Sequence, residues 1–274
     1  MPKITMPTDW DDADGWEAYY AALYPDGPLE EHEQGGGSLS RRINEFVSTL
    51  MAKGRTSVWV AGCGIAPLGG MLAATGLQVV ATDIALSAVR FQNERARRPE
   101  FVRALAENGV DTREGGSLDV RQHDFRCPFE TAAFDVVINT KAFSGFKASS
   151  QRQVAGSHFA ALKSGGTAYF DTRNVQGADR DRMEDALVGA GFYMPLAEID
   201  RAYRKELSDT GIPHVFILGF PVVQTADQTL LERDTPIIRA IRDKYEDLIR
   251  GKVASEQERD LTNARHAVII YSTG

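Results

Sequence analysis

The stretch Val58-Trp-Val-Ala-Gly62-Cys-Gly64-Ile-Ala66-Pro67 joins a short β-branched and aromatic run to a Gly-x-Gly turn, and that turn to a helical pattern. It reads as a buried strand over 57–62 followed by a helix from Pro67 to Thr75, stopped by Gly76. Glycine accepts positive φ and lets a ligand approach the backbone closely. In a parallel sheet, the carboxyl end of the first strand is where ligands bind. A dinucleotide fingerprint would place a third glycine three residues after Gly64, where this chain has Pro67. The turn therefore suits a diphosphate poorly.

Outward from this turn, strands and helices alternate. Upstream, Ile43, Phe46, Val47, Leu50 and Met51 recur at helical spacing. Ser40 or Ser38 serves as the N-cap of that helix and Gly54 as its stop. Downstream, the spacing predicts a strand over Gln78–Asp83, helices over Ala85–Arg98 and from Pro99 to Glu107, and strands over Leu118–Asp124 and Phe134–Thr140. A helix over Ser150–Lys163, a strand over Thr167–Thr172 and a helix over Asp179–Val188 follow. This order predicts an α/β fold, a doubly wound and mostly parallel sheet covered on both faces. In the last third, His214–Gly219 and Ala267–Tyr271 read as strands around an amphipathic helix, Ile237–Ile249, and either strand can join the main sheet. Before the core, Trp10, Trp16, Tyr19, Tyr20 and Tyr24 precede a turn at Pro25–Pro28 and a glycine hinge at Gly35–Gly37. The expected organisation is an N-terminal helical cap or lid (1–37), a core (38–223) and a C-terminal helical extension with a final strand (224–274).

Composition bounds the function. The chain has 274 residues, 43% apolar and 25% charged, enough for a sizeable core. Lys and Arg number 31 against 38 Asp and Glu, a formal charge of −7, which disfavours a nucleic-acid backbone as the main partner. Two cysteines, Cys63 and Cys127, make no framework, and five histidines show no HxxxH spacing, so no metal site is expected. No apolar stretch approaches the ~20 residues of a membrane span. The expectation is a cytoplasmic protein with reduced thiols and no membrane partner; its oligomeric state is not readable.

Two acidic strand ends complete the pattern. Asp83 stands 21 positions after Gly62, where a carboxylate can accept both ribose hydroxyls. Asp124 ends another strand on the same edge and can accept from an exocyclic amine, while Phe125 offers its backbone amide to a ring nitrogen. Together these residues predict a nucleoside-containing cofactor.

The ordered set Gly62-Cys-Gly64, Asp83, Asp124-Phe125, Phe134-Asp-Val-Val-Ile and Leu162-Lys-Ser-Gly165-Gly166 resembles the class I S-adenosylmethionine-dependent methyltransferases over roughly residues 40–195. The resemblance implies a Rossmann-like sheet and S-adenosyl-L-methionine as cofactor. Ala61, Gly62, Cys63 and Gly64 would lie at the methionine part, and Asp83 and Ile84 at the ribose. Asp124 and Phe125 would hold the adenine, and Asn139 and Thr140 would border the sulfonium. Most members carry an acid two positions before the first glycine; here it is Val60. That variant turn, with the long segment 84–123, is similar to the thiopurine methyltransferase group, although the Asp-Arg usual after its fourth strand is Asn139-Thr140 here.

A small-molecule acceptor is the first expectation. Tyr19 and Tyr20 in the aromatic lid, and Lys141, Phe143 and Phe146 after the fourth strand, are the candidates to meet it; no general base is assigned. Cys63 reads as a packing residue and the histidines as structural or exposed. A protein or RNA methyltransferase, a non-catalytic cofactor-binding subunit and a nicotinamide-dependent oxidoreductase are the alternatives, and Pro67 argues against the last.

Overall fold

The computed structural model describes residues 4–25, 37–140, 142–173, 178–194, 197–212, 214–217, 220–223, 227–257 and 266–272. Its strands are β1 (Ser57–Ala61), β2 (Gln78–Asp83), β3 (Ser117–Gln122), β4 (Phe134–Thr140), β5 (Leu162–Arg173), β6 (His214–Ile217), β7 (Phe220–Val223) and β8 (His266–Ser272). Its helices are α1 (Ala13–Leu23), α2 (Gly37–Ala52), α3 (Leu68–Ala74), α4 (Leu86–Ala96), α5 (Pro99–Glu107), α6 (Ala148–Ala161), α7 (Ala178–Gly189), α8 (Ala197–Asp209) and α9 (Gln228–Gln257). Six strands form one sheet in the order β3-β2-β1-β4-β5-β8, and every neighbouring pair is parallel. The order reverses between β1 and β4, so the turns after these two strands flank the switch-point crevice where such sheets bind ligands.

Both faces of the sheet are buried, as the unbroken apolar runs require. On β1, Val58 and Val60 join Val79, Ala81, Val136 and Ile138 on the face covered by α2, α3 and α5. Trp59 and Ala61 point the other way, into a cluster with Val137 and Phe170 under α6 and α7. Trp59 is fully buried, and its indole N–H donates to Thr82 Oγ1 at 2.9 Å, which satisfies its one polar atom.

The late part of the chain resolves the open choice. The 267–271 strand joins the sheet as β8, beside β5, whereas β6 pairs antiparallel with β7 in a separate hairpin. Helix α8 and strand β7 have no counterpart in the sequence reading. In α8 the buried stripe is one residue per turn, Tyr203 then Leu207, within a highly charged segment, which weakens the periodic signal. The predicted helix over 237–249 is the middle of the longer α9, which contains Pro236. Helix α2 begins at Gly37, so neither Ser38 nor Ser40 is its N-cap and the third hinge glycine is helical; Gly35 and Gly36, like Pro28, lie outside the described residues. The helix predicted over Ser150–Lys163 ends at Ala161, and Gly165 and Gly166 follow inside β5. Leu162 already pairs with Phe134, and the register shifts so that Thr167 meets Val136, leaving the glycine pair in a bulge.

Candidate functional site

Beyond β1 the chain turns at Gly62 (φ +70°) and Gly64 (φ +48°), both in the region where a side chain is strained. The turn is tied down on its inner side. The Gly62 and Cys63 amides donate to the Thr82 carbonyl at 2.8 and 2.9 Å. The Gly64 amide donates to Asp83 Oδ2 at 2.8 Å, and the Ala85 amide to Oδ1 at 3.0 Å. From α4, Gln92 Nε2 donates to the carbonyls of Gly64 and Ala66, and Arg95 Nη1 to that of Ile65. Asp83 is only 6% exposed, and burial raises its carboxyl pKa against the lowering effect of the amides.

Asp124 stands two residues past β3. Arg126 spans both its oxygens, Nε at 2.9 and 3.0 Å and Nη2 at 2.7 Å, while Nη1 reaches Asp11 Oδ1 at 2.8 Å. Burial pushes the Asp124 carboxyl up, but the Arg126 bonds outweigh it and the net shift is downward. One guanidinium thus joins a sheet-edge carboxylate to the N-terminal segment.

That segment lies across the crevice. Asp12 caps α1 by accepting from the Gly15 amide at 2.9 Å. Glu17 accepts from the Ser87 amide at 3.0 Å, in the first turn of α4, and so docks α1 there. Trp16 is buried against Ala85 and Ala88, stacks on Tyr20 and packs against Trp10 with ring centres 4.9 Å apart. Trp10 lies so close to Gly145 that a Cβ there would stand 2.3 Å from its ring. Tyr20 reaches the glycine turn itself: a Cβ on Gly64 would stand 2.7 Å from its hydroxyl. Burial and the nearby Asp83 charge raise the Tyr20 phenol pKa.

Between lid and strand ends is a cavity of about 270 Å³. Gly62, Cys63, Gly64, Asp83, Ile84, Asp124 and Phe125 line its floor, and Tyr19, Tyr20 and Phe146 its walls. Of the predicted cofactor set, the cavity therefore gathers seven residues. Ala61 is a buried strand residue just below it. Asn139 is not at the cavity. Its side chain is fully buried, with Oδ1 accepting from the Phe143 amide and Nδ2 meeting His158 Nε2, both at 3.1 Å. Phe143 is likewise no pocket wall: it is fully buried against Phe170. Both turn inward because the short 3₁₀ turn Phe143–Gly145 folds back over the end of β4. Thr140 ends β4, its side chain outside the described ones, and Lys141 lies outside the described residues. Sequence reasoning missed Arg126, Gln92 and Arg95. Arg126 follows Asp124 by two residues, a visible ion-pair spacing, whereas Gln92 and Arg95 declare themselves only through contacts across the fold.

The cavity fits a nucleoside sulfonium. The Asp83 carboxylate has about four lone-pair positions and gives two to backbone amides, leaving the rest for hydroxyls. The walls are aromatic and apolar, and rings of this kind receive a cation on their faces. Among the described residues no group of three or more His, Cys, Asp or Glu is placed to hold a metal ion, and no helix is long and apolar enough to cross a membrane.

Comparison with known proteins agrees with this geometry. Residues 59–170 match the family described as a methyltransferase domain, a span that carries the glycine turn, Asp83 and Asp124. Over this span the match and the parallel sheet agree on an α/β Rossmann-like methyltransferase-domain fold. No curated protein matches the chain. Similar solved structures include a S-adenosylmethionine-dependent methyltransferase from Methanosarcina mazei (21% identity, 40% of this chain and 49% of that one, TM-score 0.35). A TehB-like methyltransferase from Corynebacterium glutamicum (14%, 65% and 82%, 0.41) and the glycopeptide N-methyltransferase MtfA bound to S-adenosylmethionine (18%, 48% and 47%, 0.34) are also similar. The chain thus spans about half the length of the Methanosarcina protein.

Proposed function

We propose that the whole protein transfers a methyl group from S-adenosylmethionine to a small-molecule acceptor beneath an aromatic N-terminal lid. The observation that carries this is the cavity joining Gly62–Gly64 and Asp83 to Trp10, Trp16, Tyr19 and Tyr20. When bound, the cofactor supplies an activated methyl group whose departure leaves a neutral thioether. Asp83 would hold the ribose, Asp124 and Phe125 would border the adenine, and Gly62 to Gly64 the methionine part. The lid rings exclude water and align an acceptor. A general base is needed only for an acceptor protonated at working pH.

A small acceptor is favoured because Trp10, Tyr19, Tyr20 and Phe146 give the cavity uncharged aromatic walls. Affinity with the thiopurine methyltransferase group is part of this reading, supported by Val60 and the 84–123 segment. So is a cytoplasmic location, supported by two cysteines that are free thiols, one buried and one exposed.

Calorimetry tests the cofactor. S-adenosylmethionine and its demethylated product should bind, and NAD should not; tighter binding of NAD overturns the assignment. Incubating an extract with methyl-labelled S-adenosylmethionine should then label a small molecule, and label confined to protein or RNA would reassign the acceptor.

A further inference from the structure

His158 is fully buried on α6, in a cage of aromatic rings formed by Trp59, Phe125 and Phe170. Such a site rewards an apolar side chain and penalises an imidazole. Nε2 of this imidazole meets the Asn139 amide. The chemistry of that contact is forced. Asn139 Oδ1 accepts from the Phe143 amide, so its nitrogen faces His158 and must donate. Nε2 of His158 is therefore the acceptor and Nδ1 carries the proton.

Phe143 is held through its carbonyl as well. Gln151 Nε2 donates to the Phe143 carbonyl at 3.2 Å, and Arg182 Nε holds Gln151 Oε1 at 3.0 Å. Asn139, Gln151 and His158 are all fully buried. Two side chains, Asn139 from β4 and Gln151 from α6, thus converge on Phe143 in the turn after β4, and His158 holds the first of them. That turn bears Ala142 and Phe146, which line the cavity, and Gly145, on which Trp10 rests.

We propose that His158, acting through Asn139, is a positioning residue that fixes the post-β4 turn as cavity wall and seat for the lid. The inference rests on reading the cavity as the cofactor site. A purely structural role would affect the whole fold, whereas this one acts on residues 142–146.

The test uses the full-length chain and its His158→Leu and His158→Gln variants, since a glutamine carbonyl can replace Nε2 as acceptor. Backbone amide exchange over 142–146 and calorimetric affinity for S-adenosylhomocysteine are measured beside thermal unfolding. In His158→Leu, exchange over 142–146 should rise about tenfold and affinity fall about tenfold, the scale of one lost hydrogen bond, with β1 and β2 unchanged. His158→Gln should restore both. If His158→Leu does not fold, Gln151→Met removes the second bond to Phe143 and should give the same local pattern. Unchanged exchange over 142–146, a uniform rise across the sheet, or glutamine no better than leucine overturns the proposal. A wild-type protein that fails to bind S-adenosylhomocysteine, with the local exchange pattern intact, instead overturns the cofactor reading and leaves the positioning role of His158 standing.

Discussion

The turns after β1 and β4 stand side by side at the switch point of the sheet, yet they are held in opposite ways. The first is held through its own amides and glycines, with Gln92 and Arg95 of α4 on its carbonyls. Its amides reach a neighbouring strand's carbonyl and the Asp83 carboxylate, and its two glycines adopt φ values that side chains resist. The second is held by side chains buried beneath it, Asn139, Gln151 and His158. A turn of the first kind is encoded within a few residues. One of the second kind depends on packing between β4 and α6.

The largest effect is expected from breaking the first turn at its carboxylate. Asp83→Ala removes the acceptor for the Gly64 and Ala85 amides together with the proposed ribose contact. Affinity for S-adenosylhomocysteine should fall by about 2–4 kcal/mol, the range for bonds to charged groups. Because Asp83 is buried and knits β2 to the turn, the unfolding temperature should fall as well. Calorimetry and thermal unfolding check both, and an undiminished affinity would move the ribose elsewhere.

Gly64→Ala comes next. It places a Cβ at φ +48° and 2.7 Å from the Tyr20 hydroxyl. We expect about 2 kcal/mol of lost affinity, from backbone strain and a displaced lid. A Tyr20→Phe background should recover the part due to the hydroxyl, and no recovery would mean that strain alone is responsible.

Gly145→Ala probes the second turn. Its Cβ would meet the Trp10 ring, a single side chain that can swing away, so the loss should be about 1 kcal/mol. A change in tryptophan fluorescence should accompany it; an unaltered spectrum would show that Trp10 does not need this seat.

How far these turns could be read in the sequence follows from their construction. Gly62, Gly64 and Asp83 announce themselves because each needs its own residue type at its own position. The β1–β5 alternation is legible for a similar reason: strands buried on both faces are continuous apolar runs. Asn139 and Phe143 were legible as residues beside the site but not in direction, since the inward fold of the 3₁₀ turn depends on Gln151 and His158, eight or more residues away. His158 reads as a structural histidine in isolation, and only its partners give it a further role. Helix α8, with one buried residue per turn, falls below what periodicity detects.

A pH dependence is expected from the histidine buried under the second turn. Burial pushes the His158 pKa from 6.5 down to about 3. Between those values the unfolded chain binds the extra proton, so stability rises with pH. The contribution is complete above pH 6.5 and is lost as pH falls toward 3. From pH 7 to pH 4 the unfolding temperature of wild type should therefore decline more steeply than that of His158→Gln. Equal slopes would assign the acid sensitivity to other groups.

The position of β8 carries a consequence for how the molecule comes to be. Thr167 on β5 pairs with His266 on β8, 99 residues later. During synthesis the first five strands, and with them the whole cavity floor, emerge well before the sixth. Until β8 arrives, β5 presents an unpaired edge, the kind of template that invites association with other chains. Pairing across so long a stretch is also slow, because the loop must close before its contacts stabilise it. The late-joining strand thus makes the nascent chain prone to aggregate at its β5 edge during an interval when its ligand-binding turns are already in place.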